Sequence, residues 1–305
     1  MKSIVIKVDR PVFKSIGYLI TLILIAWISV VSVWAANRHE SQIVSLKGEK
    51  WWGGMVALGS KMPFDGALRL FDLSVENMNN QNVPLLLSSE GRYIWSDRPF
   101  SFKVEKDKLL VYSDYEKIEP VSAGTTLRDA YKEASSKHFP PTGALPDPLF
   151  FSQPQYNTWI ELMYNQNQAD IMAYAGNVLK NGFPTGVFMV DDNWQKYYGN
   201  FDFKPERFPD PKGMVEQLHR DGFRIMLWVC PFVSPDSPEF RDLQKKGYLI
   251  KKKGTNQAAI ISWWNGYSGC YDLSNPDAVA HLKSQLHGMQ SKYGIDGIKI
   301  DAGDI

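Results

Sequence analysis

The longest apolar stretch lies at the N-terminus. No charged residue occurs from Ser15 to Asn37, and the run from Ile16 to Ala35 is long enough to cross a bilayer, which needs about 20 residues. Farther on the apolar runs shorten. From about Ile43 to Pro120, segments such as Gly66–Leu73, Val83–Leu87, Arg92–Trp95, Phe100–Val104 and Lys108–Tyr112 alternate with turn residues such as Asn79-Asn80 and Glu90-Gly91. Many short strands at regular spacing predict a β-sandwich domain over residues 37–138. The Pro-rich stretch that follows reads as a linker, 139–150.

Beyond the linker the period changes. Ile171, Tyr174, Ala175 and Val178 recur at helical spacing and predict a helix over Gln168–Lys180, ended by Asn181-Gly182. A strand is expected at Gly186–Val190, then a helix from Pro211 to Asp221 and a strand over Arg224–Pro231. Another helix follows around Pro238–Lys246, a third strand over Gln257–Ser262, a helix over Pro276–Tyr293 and a strand over Gly297–Ile300. Helices alternating with wholly apolar strands predict a parallel sheet covered on both faces. The fold class is therefore α/β. Residues 151–305 are expected to form the first half of a (β/α)8 TIM barrel, truncated after about four strands and preceded by the sandwich.

Charge changes the reading of the N-terminus. Lys2, Lys7, Arg10 and Lys14 flank the apolar run, the pattern of an export signal. Residues 1–36 are either a signal peptide, cleaved after Val33-Trp-Ala35, or a retained membrane anchor. Both place the remainder outside the cytoplasm, periplasmic, extracellular or anchored facing outward, because the basic flank stays inside. Membrane contact is expected only through this segment. The net charge of +1 gives no electrostatic case for nucleic acid. Aromatic residues make up 13% of the chain, with ten Trp, which suits sugar rings as well as a large core. The two cysteines, Cys230 and Cys270, match no metal or redox motif and are either two buried thiols or a disulfide. No metal site and no cofactor are expected, and the oligomeric state has no signature.

Chemistry gathers at the predicted strand ends. Asp191-Asp192-Asn193-Trp194 follows the first strand, Trp228 with Pro231-Phe232 belongs to the second, and Lys299 and Asp301 close the last. Trp263–Tyr267 and Asp272 lie in a connection on the same side. Each Asp alone reads as a cap or turn residue, and Trp228 alone as core. Together, carboxylates that accept from sugar hydroxyls, aromatic faces for C–H groups and a lysine describe a carbohydrate site. Lys299, two residues before Asp301, points to the same side of the strand, where its charge favours an ionised Asp301.

The ordered set Gly186-Val-Phe-Met-Val-Asp-Asp-Asn-Trp194, Phe208-Pro-Asp-Pro-Lys212, Met226-Leu-Trp-Val-Cys-Pro-Phe232, Trp264-Asn-Gly266 and Gly297-Ile-Lys-Ile-Asp-Ala-Gly-Asp304 resembles glycoside hydrolase family 31. Lys50-Trp-Trp-Gly-Gly54 and Pro84–Tyr93 extend the resemblance more weakly to the N-terminal domain. It implies a retaining α-glycosidase acting on terminal α-linked sugars of glycosides or oligosaccharides, which the N-terminal signal would make an exported one. The pattern looks more like the α-galactosidase-type or uncharacterised branches than the starch-active α-glucosidases. By resemblance, Asp301 is the nucleophile and Lys299 lies beside the sugar. One of Asp191 and Asp192 binds the distal hydroxyls, and Trp194, Trp228 and Trp264 belong to the substrate site. Retaining chemistry needs a second carboxyl about 5–5.5 Å from the nucleophile. In the family that acid/base sits on a later barrel strand. Asp304 reads as a rim carboxylate, so the chain is expected to be a fragment that lacks the acid/base and is inactive alone. Two other readings use the same residues: a carbohydrate-binding protein without turnover, and an α-transglycosylase.

Overall fold

The computed structural model describes residues 38–64, 69–75 and 80–302. The N-terminal segment 1–36, the start of the run at Gly66, Asn79 and Asp304 lie outside the described residues. Among the described residues no helix is long and apolar enough to cross a membrane. The chain divides into two compact units between Pro141 and Thr142.

The first unit contains β1 (His39–Val44), β2 (Trp51–Met55), β3 (Phe71–Asp72), β4 (Asn82–Ser88), β5 (Arg92–Trp95), β6 (Ser101–Val104), β7 (Lys108–Ser113), β8 (Val121–Ser122) and helix α1 (Leu127–His138). Two antiparallel four-stranded sheets form, in the orders β1-β7-β6-β3 and β2-β4-β5-β8. Ile43, Phe102 and Val111 of the first share one core with Trp51, Leu86 and Ile94 of the second. The unbroken Leu85-Leu86-Leu87 run has a simple cause. Leu86 faces that core, while Leu85 and Leu87 pack under α1 with Tyr93, Ala130 and Ala134, so both faces of β4 are covered. The strand texture of residues 37–138 gave no helix here. Its signal is a capping box: the Thr126 hydroxyl accepts from the Asp129 N–H at 3.2 Å, and the Asp129 carboxylate accepts from the Thr126 N–H at 3.0 Å.

The second unit is built on β9 (Gln155–Asn157), α2 (Gln168–Lys180), β10 (Val187–Val190), α3 (Pro211–Arg220), β11 (Arg224–Val229), β12 (Phe232–Val233), α4 (Pro238–Lys246), β13 (Ile261–Trp263), β14 (Gly266–Cys270), α5 (Pro276–Tyr293) and β15 (Gly297–Ile300). Four parallel strands pair in the order β15-β11-β10-β9. Helices α2 to α5 follow the sequence reading closely because their ends are marked. Asn167, Asp210, Ser237 and Asn275 cap the N-termini, and Pro opens α3, α4 and α5. One face of the sheet, with Phe188, Val190, Ile225, Leu227 and Val229, is buried against Ile171, Ala175, Val215, Leu218 and Tyr293 of the helices. The opposite face carries Trp228, Lys299 and Asp301, and the register sets Trp228 beside Lys299.

The expected third strand is corrected. Residues from Gln257 to Ser262 do not join the parallel sheet. Ile261–Trp263 pairs antiparallel with Gly266–Cys270, within a separate sheet of order β12-β14-β13. The cause is a two-residue hairpin turn, Trp264-Asn265, closed by Gly266 at φ +103°, a conformation that favours glycine. A parallel partner needs a crossover of a dozen or more residues, which this turn does not provide. The unanticipated member of the parallel sheet is β9. Its three residues, Gln-Tyr-Asn, carry no apolar run and are held through backbone pairing to β10. In chain order β15 is thus the fourth parallel strand, after β9, β10 and β11.

Candidate functional site

The C-terminal ends of the parallel strands open into a cavity of about 250 Å³, lined by Asn157, Trp159, Asp191, Asp192, Trp228, Trp264, Lys299 and Asp301. Lys299 is its electrostatic centre. Its Nζ lies 3.1 Å from Asp191 Oδ2 and 3.1 Å from Asp301 Oδ2. Burial disfavours the ammonium, but bonds to both carboxylates more than offset this and raise its pKa. Asp301 also accepts from Trp228 Nε1 at 2.9 Å and from the Ala302 N–H at 2.9 Å. Burial alone would raise the Asp301 carboxyl. The hydrogen bonds from Trp228, Ala302 and Lys299 outweigh it and hold the carboxyl below the usual range. The outcome is a half-buried carboxylate kept ionised beside a cation.

Asp191 and Asp192 sit at the end of β10 and are 3% and 1% exposed, yet their partners differ. The Asp191 backbone N–H donates to Thr158 Oγ1 at 3.0 Å, and Asp191 Oδ1 accepts the Asp192 N–H at 2.9 Å. Both oxygens of Asp192 face the Tyr198 hydroxyl, at 3.1 and 2.9 Å, and Asn265 Nδ2 lies 3.4 Å from Oδ2. Burial pushes the Asp192 carboxyl up to about 6, against the opposing bond from Tyr198. A carboxyl raised from 3.8 to about 6 costs stability. The cost is absent below the unfolded pKa, grows as pH rises between the two values and is complete above the folded one. Relative to wild type, Asp192→Asn is therefore expected to be more stable at pH 7.5 than at pH 5 by about 1–2 kcal/mol. Urea unfolding at the two pH values checks this, and an equal gain at both would contradict it.

The turn after these carboxylates is shaped by Asn193, at φ +77°, a region that asparagine tolerates. Its amide donates to Tyr164 O at 2.7 Å, and Lys204 reaches its carbonyl at 3.2 Å. The chain thereby turns Trp194 away from the cavity, which corrects its expected place. Trp194 is wholly buried in the outer core, 4.7 Å from the Phe203 ring, and its Nε1 donates to the Trp228 carbonyl at 2.7 Å. It supports the strand end from behind. Trp228 and Trp264 do line the cavity, edge to face at 6.5 Å and 72°. Asp272 is a turn residue that accepts from Ser274 N and Oγ at 3.1 and 2.6 Å. Cys230 and Cys270 are free and buried, and burial raises both thiols, Cys270 to about 11. No group of three or more His, Cys, Asp or Glu able to hold a metal ion occurs among the described residues.

Sequence reasoning missed Asn157 and Trp159 in the cavity wall, Thr158 beneath Asp191, and Tyr198 on Asp192. Asn157 ends β9 and the next two follow it directly, so all three go unseen with that strand. Tyr198 carries no local signal, since its role depends on a fold that brings Asn265 to it.

Charged groups gathered at the C-terminal ends of parallel strands are where α/β folds, barrels among them, place their chemistry. Residues 148–305 match the TIM-barrel domain of the glycosyl hydrolases family 31, and the chain belongs to that family. The myogenesis-regulating glycosidase of Mus musculus is 25% identical over 185 residues, covering 61% of this chain and 26% of that protein. The alpha-xylosidase XylQ of Lactiplantibacillus pentosus is 24% identical over 238 residues, covering 73% of this chain and 30% of its own length. The chain thus spans less than a third of either curated relative. Among solved structures, a GH31 alpha-xylosidase from a soil metagenome complexed with xylose shares the fold at a TM-score of 0.70 and 20% identity, over 88% of this chain and 38% of that one. A GH31 dextranase of Flavobacterium johnsoniae complexed with glucose does so at 0.72 and 18%, over 88% and 34%.

Proposed function

We propose that this chain carries the nucleophile and part of the sugar subsite of an exported, retaining α-glycosidase that releases terminal α-linked sugars from glycosides or oligosaccharides. The observation that supports this most is the single lysine shared at 3.1 Å by Asp191 and Asp301 in an aromatic-walled cavity. At about 250 Å³ the cavity is smaller than the ~300 Å³ lower bound for drug-sized ligands and suits one sugar ring. In this reading Asp301 attacks the anomeric carbon. A bond forms from its carboxylate oxygen to that carbon as the bond to the leaving oxygen breaks, and the leaving oxygen takes a proton from the acid/base. Water then cleaves the glycosyl ester, returning its proton to that group. The chain spans 26% and 30% of the two curated relatives, and the acid/base is left unassigned among its residues.

Of the adjacent pair, Asp191 is assigned to the distal hydroxyls. Tyr198 faces both oxygens of Asp192, whereas Asp191 Oδ2 points to the cavity's own lysine. Export rests on the basic N-terminal flank and apolar run of the sequence. The relatives' names make α-xylosides the first probe, beside α-glucosides and α-galactosides. The test is a panel of aryl α- and β-glycosides offered to the full-length protein, with the first-formed anomer read by NMR. Cleavage of at least one α-glycoside with the configuration retained supports the proposal. Inversion, or sugar binding without turnover, contradicts it.

A further inference from the structure

We infer that Tyr198 and Asn265 are positioning residues that seat Trp264 over the cavity and so set how tightly the terminal sugar ring is held. The inference rests on the sugar-site reading above and names residues that the motifs did not single out for this role.

Trp264 stands in the two-residue turn of the β13–β14 hairpin and is 45% exposed, although it lines the cavity. The residue that leads into the turn is fixed. Trp263 is buried, packs on Phe232 at 4.3 Å, and its Nε1 donates to Ser268 Oγ at 3.1 Å. The Trp264 ring meets that of Trp263 at 4.6 Å, and the other turn residue, Asn265, ties the tip to the strand end. Asn265 donates through Nδ2 to the Tyr198 hydroxyl and lies near Asp192. The hydroxyl accepts from Asn265 and donates to Asp192, so one oxygen links hairpin tip to strand end.

Tyr198 is a rigid post for this link. Its backbone N–H donates to Ser234 Oγ at 3.1 Å, and its carbonyl accepts the Ser234 N–H at 2.9 Å. Its ring lies 5.9 Å from Trp228 and 5.1 Å from Trp263. The same tyrosine therefore touches the indole that donates to Asp301 and the residue before Trp264. A sugar ring in the cavity meets Trp264 on one side and the Lys299–Asp301 pair on another. If the tip swings away, the aromatic wall is lost while the chemistry at Asp301 is untouched.

The test uses Tyr198→Phe, which keeps the ring and removes the hydroxyl, and Asn265→Ala, in full-length protein containing 5-fluorotryptophan. The Trp264 fluorine resonance is assigned by its loss in Trp264→Phe. In both variants that resonance should shift or broaden, while the resonance of the buried Trp51 stays in place. For an aryl α-glycoside that the wild type cleaves, KM should rise about tenfold, the loss of one aromatic face, with kcat within about twofold. An unmoved Trp264 resonance in both variants overturns the inference, as does a fall in kcat with KM unchanged. A wild type that neither cleaves nor binds any probe sugar overturns the functional reading instead, and the fluorine measurement still decides whether the tip is held.

Discussion

Replacing Asp301 by asparagine is expected to lower turnover of aryl α-glycosides by about 10⁴-fold or more while leaving the fold intact. Asparagine is the better replacement than alanine for a physical reason. Trp228 Nε1 donates to the Asp301 carboxylate, and an amide oxygen keeps an acceptor there, whereas alanine leaves a buried N–H unpaired at about 1–3 kcal/mol. The loss is large because the carboxylate forms the covalent bond and no neighbour can stand in for it. Asp191 is held at its own strand end by Thr158 and Lys299, and Asp192 by Tyr198. Retained turnover in Asp301→Asn would reject the assignment. Unfolding of Asp301→Asn and wild type in parallel shows whether the loss is chemical. The stability that the depressed Asp301 pKa contributes is present above its unfolded value of 3.8 and is lost as pH falls through the lower folded value, so the comparison belongs near pH 7.

Replacing Lys299 by methionine should produce the second largest effect. Without the ammonium, Asp191 and Asp301 lose the cation that both approach at 3.1 Å. Burial, the largest influence on Asp301, is then opposed only by Trp228 and the Ala302 N–H, so the carboxyl pKa moves up. Attack needs the ionised form, and the acid limb of kcat/KM follows that pKa. The limb should therefore move to higher pH, with kcat/KM down about 100-fold at pH 7 and further at pH 5. The raised pKa of Lys299 contributes stability that is present below its unfolded value of 10.5 and is lost as pH rises through the folded one, so the variant should also be less stable at neutral pH. A pH–rate profile separates the two effects. An unshifted limb would show that Lys299 does not keep Asp301 ionised.

Most of the second unit could be read from the chain because its signals are local. Helix caps at Asn167, Asp210, Ser237 and Asn275, and the apolar strands at Val187, Arg224 and Gly297, each lie within a few residues. What was misread depended on partners. Strand β9 is short and polar, and only β10 makes it a strand. Trp264-Asn265 reads in the sequence as part of the site but is first a hairpin turn, and that turn removes Gln257–Ser262 from the parallel sheet. In the site, Asp191, Asp192, Trp228, Trp264, Lys299 and Asp301 do line one cavity. Trp194 does not, since Asn193 turns the chain and sends the indole behind the strand. Period-two alternation fixed the side for Lys299 and Asp301, but no pattern foretells the direction taken after a left-handed turn. The tie between Tyr198 and Asn265 joins residues 67 positions apart and is visible only in three dimensions.

The assignment of Asp301 as nucleophile is tested most directly by trapping. Full-length protein would be incubated with 5-fluoro-α-xylosyl, α-glucosyl and α-galactosyl fluorides, digested, and analysed by mass spectrometry. A single glycosyl adduct on the peptide containing Asp301, absent from Asp301→Asn, is the expected result. An adduct on another carboxylate, or rapid turnover of α-glycosides with inverted products and no adduct, would contradict it.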